Sequence, residues 1–512
     1  MSKVVRVGPD ELSYVTEQAW ADIYKTRKGG TTNSGKQLQK FMPRPPGFQH
    51  GLMDNPFDDE QAVCRKALVA GMNDRSVRMK ESTILQKNVG LLIEKMKMKI
   101  NTSKTWSTRD RPEEIHGQGQ DDDEEDSKEG EGIIDLANCL ECVAMDVIGD
   151  FVSGETFGCL YVDILRPPLH LHLGYPYAFT MRDNLELNPL FDKIVNSLKQ
   201  LAIGCGFESC RLTKPIVRMG KPRFDTVVEI RRRLERREQQ QQQQDNPKSE
   251  DDILYHVFKD VETSKGLGYK NLAERVAADA ITGGFDTIAI AMVGAMYFLV
   301  KNPEKMKILR DEIRGTFETD DEITLARVNS LPYLTAVFSE TLRLWPPGPE
   351  TLRRVTNGPG GNIIDGEWVP PNTLVGVYHW TAGRYKGAWT DADEFVPERW
   401  FDRDNDTSTD KDTKTDTNTT NQDNVGGRYK NDKRGVVNSF QLGPRNCPGQ
   451  SLANAEFRLV ITHLIWNFDV EAASAQEQIP DWSKTKIFGL VAEKRPLTVK
   501  LRLRKTEPGG TP

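Results

Sequence analysis

The stretch Phe440-Gln441-Leu442-Gly443-Pro444-Arg445-Asn446-Cys447-Pro448-Gly449-Gln450 decides how this chain folds. Gly443, Pro444, Pro448 and Gly449 force a tight, rigid loop around a single cysteine. The run from Ser451 to Trp466 then reads as a helix, so Cys447 lies at or just before a helix N-terminus. N–H groups at a helix start favour a thiolate, and Arg445 adds a fixed positive charge two residues upstream. No second cysteine or histidine stands near in sequence, which speaks against a four-ligand zinc site. One thiolate suffices as the axial ligand of a haem iron; the alternative is an inert cysteine in a turn.

The chain around this loop has 512 residues, which at about 150 residues per domain suggests roughly three domains, a prior that large single-domain enzymes often break. Its 69 Lys+Arg against 75 Asp+Glu leave a net charge of -6, which excludes a general polyanion binder and with it a nucleic-acid partner. The 37% hydrophobic share is below the globular norm because polar tracts near 117–131, 238–251 and 402–432 dilute it. Such tracts bury nothing and read as surface insertions in one domain spanning 1–512. Seven scattered cysteines, an odd number, argue for a reducing compartment rather than a disulfide framework. No signal peptide is legible. The longest apolar run, Ile288 to Val300, falls short of a membrane span, so the chain is expected to be soluble or peripheral.

Helix dominates the pattern. Val4–Val7 and Glu11–Val15 read as a short strand followed by a helix, and Gln61–Met98, Gly132–Asp150 and Phe224–Gln244 as helices. Tyr269–Val300 is apolar almost all round, as a helix buried through a large protein should be. Leu331–Leu344 has Pro332 in its first turn and is stopped by Pro346-Pro347. Asn362–Gly366 and Thr373–Val377 read as short strands around a turn. The expected class is mainly α with small β-sheets.

Two further motifs carry chemistry. Gly283-Gly284-Phe285-Asp286-Thr287 interrupts the long buried helix, at a cost of about 1 kcal/mol per glycine relative to alanine. An acid in an apolar helix also costs energy unless it is satisfied. The segment is either a kink with a solvated aspartate or a widened groove in which Thr287 and Asp286 relay protons to dioxygen. Glu340 and Arg343 stand at i and i+3 on one helix face, either a surface pair or a buried one, since the other faces are apolar. Three other candidates are discounted. Cys139-Leu140-Glu141-Cys142 has redox spacing but sits mid-helix, and His170 and His172 lie in a Pro-broken loop. Lys430, Lys433 and Arg434 suit either an acidic electron donor or plain solvent.

Phe440, Gly443, Arg445, Cys447 and Gly449 fall on every fixed position of the haem-binding loop of the cytochrome P450 monooxygenases, which the chain resembles from Val4 to about Leu503. The resemblance implies a triangular helical prism around buried haem b, with Cys447 as the iron ligand. It makes Arg445, Arg65 and Arg354 propionate contacts, with Arg353 competing for the role of Arg354 and Gln61 where many relatives have histidine. Glu340 and Arg343 would join Arg399, of Phe395-Val396-Pro397-Glu398-Arg399-Trp400, in a structural ion network. Asp286 and Thr287 match the oxygen-activation motif, with Ile288 a mild departure from it. The opening strand looks like that of microsomal enzymes of filamentous fungi, in particular the isotrichodermin-hydroxylase-like group of secondary metabolism. In those a membrane helix and a Pro-rich hinge precede the strand; here they are absent, which implies a shortened chain or peripheral attachment at the cytosolic face of the endoplasmic reticulum.

The activity so implied is transfer of one oxygen atom of dioxygen to a lipophilic terpenoid, polyketide or alkaloid-like molecule. Electrons would come from NADPH through NADPH–cytochrome P450 reductase, with cytochrome b5 as a second donor. Expected pocket walls are Phe41–Pro56, the face around Ala280 and Gly283, Gly348–Leu352 and Phe488–Leu490, with Glu350 the one charged anchor. Rival readings are a haem-thiolate isomerase or peroxygenase, against which the acid–alcohol pair argues, and a non-catalytic haem-binding protein. Deleting Asp404–Gln422 is expected to leave haem content unchanged, measured as haem per protein; loss of haem would show that the insertion supports the core.

Overall fold

A computed structural model of the chain describes residues 2–25, 38–40, 58–101, 131–161, 232–233, 235–236, 252–256, 269–350, 352–356, 360–401, 427–473, 487–488, 491–492 and 496–504. Strands β1 (Val4–Gly8) and β2 (Glu11–Tyr14) form a hairpin, followed by α1 (Glu17–Tyr24) and β3 (Gln39–Lys40). Helices α2 (Asp58–Met72), α3 (Asp74–Met79) and α4 (Lys87–Asn101) come next, with a π-helical turn over Glu81–Gln86. Strand β4 (Glu131–Asp135) leads into α5 (Leu136–Ser153). Then come α6 (Tyr269–Lys301), α7 (Pro303–Thr316), α8 (Leu325–Val328) and α9 (Pro332–Leu344). Short strands β5 (Arg354–Val355), β6 (Asn362–Ile364), β7 (Glu367–Val369) and β8 (Leu374–Val377) precede α10 (His379–Gly383) and α11 (Gln450–Asn467). The chain closes with β9 (Phe468–Ala472), β10 (Ile487–Phe488), β11 (Val491–Ala492) and β12 (Thr498–Leu503).

Helix α6 is the axis of the core and packs against α5, α9 and α11. α5 is buried along nearly all its length. It starts where the Asp135 carboxylate accepts from Ala137 N–H and ends at Gly154 with φ 68, a left-handed stop that glycine adopts without strain. Gly284 of α6 lets the two helices approach, since a Cβ there would meet Ile148 Cδ1 at 2.5 Å. The sheets are peripheral. One has the order β1-β2-β8-β5-β3 with β2 and β8 parallel, another β4-β12-β9, and β6-β7 and β10-β11 are hairpins.

Several boundaries differ from the sequence reading. Glu11–Val15 supplies a strand and the first helix begins at Glu17, because Thr16 caps it by accepting from Ala19 N–H. The expected helix over Gln61–Met98 is broken at Asn73, whose side chain caps α3 through Ser76 N–H, and by the π turn. Gly132–Asp135 is strand, held by pairing with β12, a partner too distant in sequence for periodicity to show. The glycine pair does not interrupt α6, which runs continuously from Tyr269 to Lys301. Over Asp279–Lys301 this helix is long and apolar enough to cross a membrane, contrary to the sequence reading, but 78% of that window is buried in protein. Of Phe224–Gln244 only 232–233 and 235–236 are described, as helix. His170, His172, Phe41–Pro56, Asp404–Gln422 and the tract 238–251 lie outside the described residues.

Candidate active site

The cysteine loop is fixed by backbone contacts before any ligand enters. Gly443 has φ 77, and a Cβ there would lie 2.1 Å from the carbonyl oxygen of Tyr24, so the loop presses on α1 where only glycine fits. Cys447 N–H donates to the Phe440 carbonyl at 2.8 Å, closing the loop on itself. The Phe440 ring packs beside Phe338 of α9, with centroids 6.4 Å apart. Gly449 caps α11, and a Cβ there would touch Cys447 Sγ at 3.9 Å. Cys447 keeps partial exposure.

A cation far away in sequence acts on this thiol. Burial pushes the Cys447 thiol up; the Gly449 N–H and the Arg65 guanidinium pull it the other way without prevailing. Arg65, on α2, reaches across to donate to the Asn446 carbonyl and to Asn446 Oδ1. Arg445 stands close enough to Arg354 for the two cations to oppose each other.

Arg354 is fully buried, with Nη1 donating to the Leu352 carbonyl at 2.7 Å and the guanidinium 4.9 Å from the Tyr24 ring. Its Nε and Nη2 have no hydrogen-bond partner among the described residues. Burial lowers its pKa to about 10; Tyr24 opposes the shift and Arg445 adds to it. Arg353 turns the other way and pairs with Glu11 at 2.9 Å, which separates the roles of the two arginines. A buried cation with two idle donors, beside a second buried arginine, calls for an anion.

Behind the loop, Glu340 and Arg343 are fully buried and paired. Arg343 forks onto the carboxylate through Nε at 2.8 Å and Nη2 at 2.7 Å, and donates to the carbonyls of Gly383, Ala392 and Glu394. Arg399 donates from Nε to the same carboxylate at 3.0 Å. Trp400 Nε1 and Val396 N–H also donate to it. Burial opposes ionisation of Glu340, but Arg343 and Arg399 outweigh it and hold the carboxyl below the usual carboxylate range. Sequence reading missed a member. Asp432 takes Arg399 Nη1, its side chain 1% exposed, so the end of the third polar tract belongs to the core rather than to an insertion. The first tract likewise ends in β4, where Glu131 pairs with Lys500 and Arg502.

Along α6, Thr282, Gly283, Gly284 and Thr287 are partly exposed in the middle of an otherwise buried stretch. A Cβ at Gly283 would meet nothing within 4 Å among the described residues, so this side of the helix faces open space there. Thr287, one turn on, donates its hydroxyl proton to the Gly283 carbonyl at 2.6 Å. Asp286 is 7% exposed. The structure thus sets the glycine and the alcohol side by side on a helix that packs against α11, which starts just after Cys447.

Of the discounted motifs, the cysteine pair and the basic cluster are described. Cys139 and Cys142 are buried in α5 as free thiols, with burial pushing the first up to about 12 and the second further. Lys430 and Lys433 are exposed, while Arg434 donates to the Phe401 carbonyl.

Residues 120–501 match the cytochrome P450 family. A cytochrome P450 monooxygenase of Purpureocillium lilacinum is 28% identical, over 98% of this chain and 82% of that protein. A cytochrome P450 monooxygenase of Talaromyces wortmannii is 27% identical (98% and 85%), and an averantin hydroxylase of Dothistroma septosporum 26% (99% and 81%). The chain belongs to the cytochrome P450 family. Its fold is that family's, its cofactor is haem b, and it is a haem-thiolate monooxygenase acting on a small molecule with electrons from a redox partner. The residues present fit this cofactor: a partly exposed thiol and, among the described residues, idle donors on a buried arginine and open space beside Gly283.

Proposed function

We propose that this single-domain enzyme, residues 1–512, hydroxylates a lipophilic terpenoid, polyketide or alkaloid-like molecule of fungal secondary metabolism. The carrying observation is the open face at Gly283 and Thr287 on a buried helix that packs against the helix beginning just after Cys447. Electrons come from NADPH–cytochrome P450 reductase, with cytochrome b5 as a second donor. The cytosolic face of the endoplasmic reticulum is the proposed site.

In this reading Cys447 ligates the iron, held by Phe440 and Gly449, while Arg65, Arg354 and Arg445 serve the propionates. Bound haem supplies dioxygen activation at a thiolate-ligated iron. The protein's part is proton supply. Thr287 spends its only proton on the Gly283 carbonyl, leaving lone pairs that accept from a water. Asp286, next in sequence and nearly buried, holds the proton that would be passed to such a water. Glu340, Arg343 and Arg399 hold the proximal side together and take no part in the reaction.

Thr287→Ala tests this division of labour. Alanine keeps the helix and raises its propensity. Haem content and the carbon-monoxide spectrum of the reduced protein are expected to survive. Product per NADPH falls, with electrons lost as hydrogen peroxide; general acid–base groups are typically worth about 10²–10⁴-fold, which sets the scale. Coupling equal to wild type, measured on a substrate found by screening lipophilic candidates, would reduce Thr287 to a helix residue.

A further inference from the structure

His379 is a buried ring that the proposed chemistry does not use. It opens α10 and is 7% exposed, with the Trp20 ring tilted against it at a centroid distance of 5.3 Å. Its Nε2 lies 3.2 Å from the side-chain amide nitrogen of Gln441, and the ring also bonds the backbone of Gly348. Burial lowers its pKa to about 4, against the Gly348 contact, so the ring is neutral near pH 7. A neutral imidazole has one N–H and one lone pair. The Gly348 contact favours the protonated ring and so takes the N–H; Nε2 is left to accept from the Gln441 amide.

Gln441 is where this matters. Its φ is 64, a left-handed backbone that L-residues avoid. The peptide joining Phe440 to Gln441 carries the carbonyl that receives Cys447 N–H at 2.8 Å, so the aim of that carbonyl is set at Gln441. Upstream the segment is tied by Gln441 N–H to the Asn438 carbonyl, and downstream by the fit of Gly443 on Tyr24. Between those ties, the Gln441 side chain reaches only His379 through its amide nitrogen among the described residues.

We propose that His379 is a positioning residue for the cysteine loop: by accepting from the Gln441 amide it holds that residue left-handed and keeps the Phe440 carbonyl on Cys447 N–H. Through Gly348 it also ties the loop to the turn after α9. The proposal rests on Cys447 being the iron ligand.

The test compares haem-loaded His379→Phe, His379→Asn and His379→Gln with wild type. Phenylalanine keeps a ring and loses both bonds; asparagine reaches only the Gly348 side; glutamine's amide oxygen reaches the Nε2 position. The expected result is a shift of about fivefold in Phe and Asn from the thiolate-type carbon-monoxide band toward that of the thiol-ligated form, the factor of one ordinary hydrogen bond, with Gln near wild type. Wild-type band ratios in Phe and Asn would overturn the proposal. So would a Gln variant as impaired as Asn, which would make His379 a packing residue; the Asn–Gln comparison stands even if Phe does not fold. Cys447→Ser run alongside separates the two claims, since a thiolate band surviving there refutes the ligand assignment rather than the role of His379.

Discussion

Serine in place of Cys447 is expected to abolish the thiolate-type carbon-monoxide spectrum and all NADPH-driven product formation. The loop itself should survive: Gly443 still presses on Tyr24, and the closing bond to the Phe440 carbonyl uses the backbone of residue 447. What goes is the soft, electron-donating sulfur, for which a hydroxyl is no substitute. Buried Arg354, with its idle donors, remains to hold an anionic group, so some haem should still bind. Haem content and the reduced carbon-monoxide spectrum of purified Cys447→Ser are the measurement. A thiolate-type band in the variant contradicts the assignment.

Glu340→Ala is expected to have the largest effect on the fold. It strands Arg343 and Arg399, both with fully buried side chains, and removes acceptors used by Trp400 and Val396. Breaking one side of a buried ion pair typically costs about 3–5 kcal/mol, against a total stability of about 5–15 kcal/mol. Little soluble, haem-loaded protein should be recovered, whereas Glu340→Gln, which keeps an acceptor and loses the charge, should be intermediate. Thermal unfolding and haem per protein report the difference, and a Glu340→Ala protein with wild-type values would sink the account. The same carboxylate sets a pH dependence. Its folded pKa lies below the usual carboxylate range, so its stabilisation is complete above the unfolded value and is lost as pH falls through the folded one.

The central helices and the cysteine loop were legible because their signals are local. Tyr269–Val300 and Leu331–Leu344 announce themselves by periodicity and prolines, and the structure places them within a residue or two. Glu340 and Arg343 are paired by local spacing, whereas only the resemblance adds Arg399; both arginines pair with Glu340 in the interior. What sequence did not show depends on partners far along the chain. Asp432 reads as the end of a polar tract until Arg399 folds onto it. Gly132–Asp135 reads as helix until β12 pairs with it. Arg65 is hidden for the same reason: it is far from Cys447 in sequence, yet its guanidinium acts on the thiol.

As a haem-thiolate monooxygenase, this chain transfers one atom of dioxygen to an organic substrate. Reconstituted with haem, NADPH and a P450 reductase under isotopically labelled dioxygen, the enzyme should give a product carrying one labelled oxygen atom, with the other recovered in water. Product whose new oxygen comes from water, or product formed without dioxygen, would contradict the account.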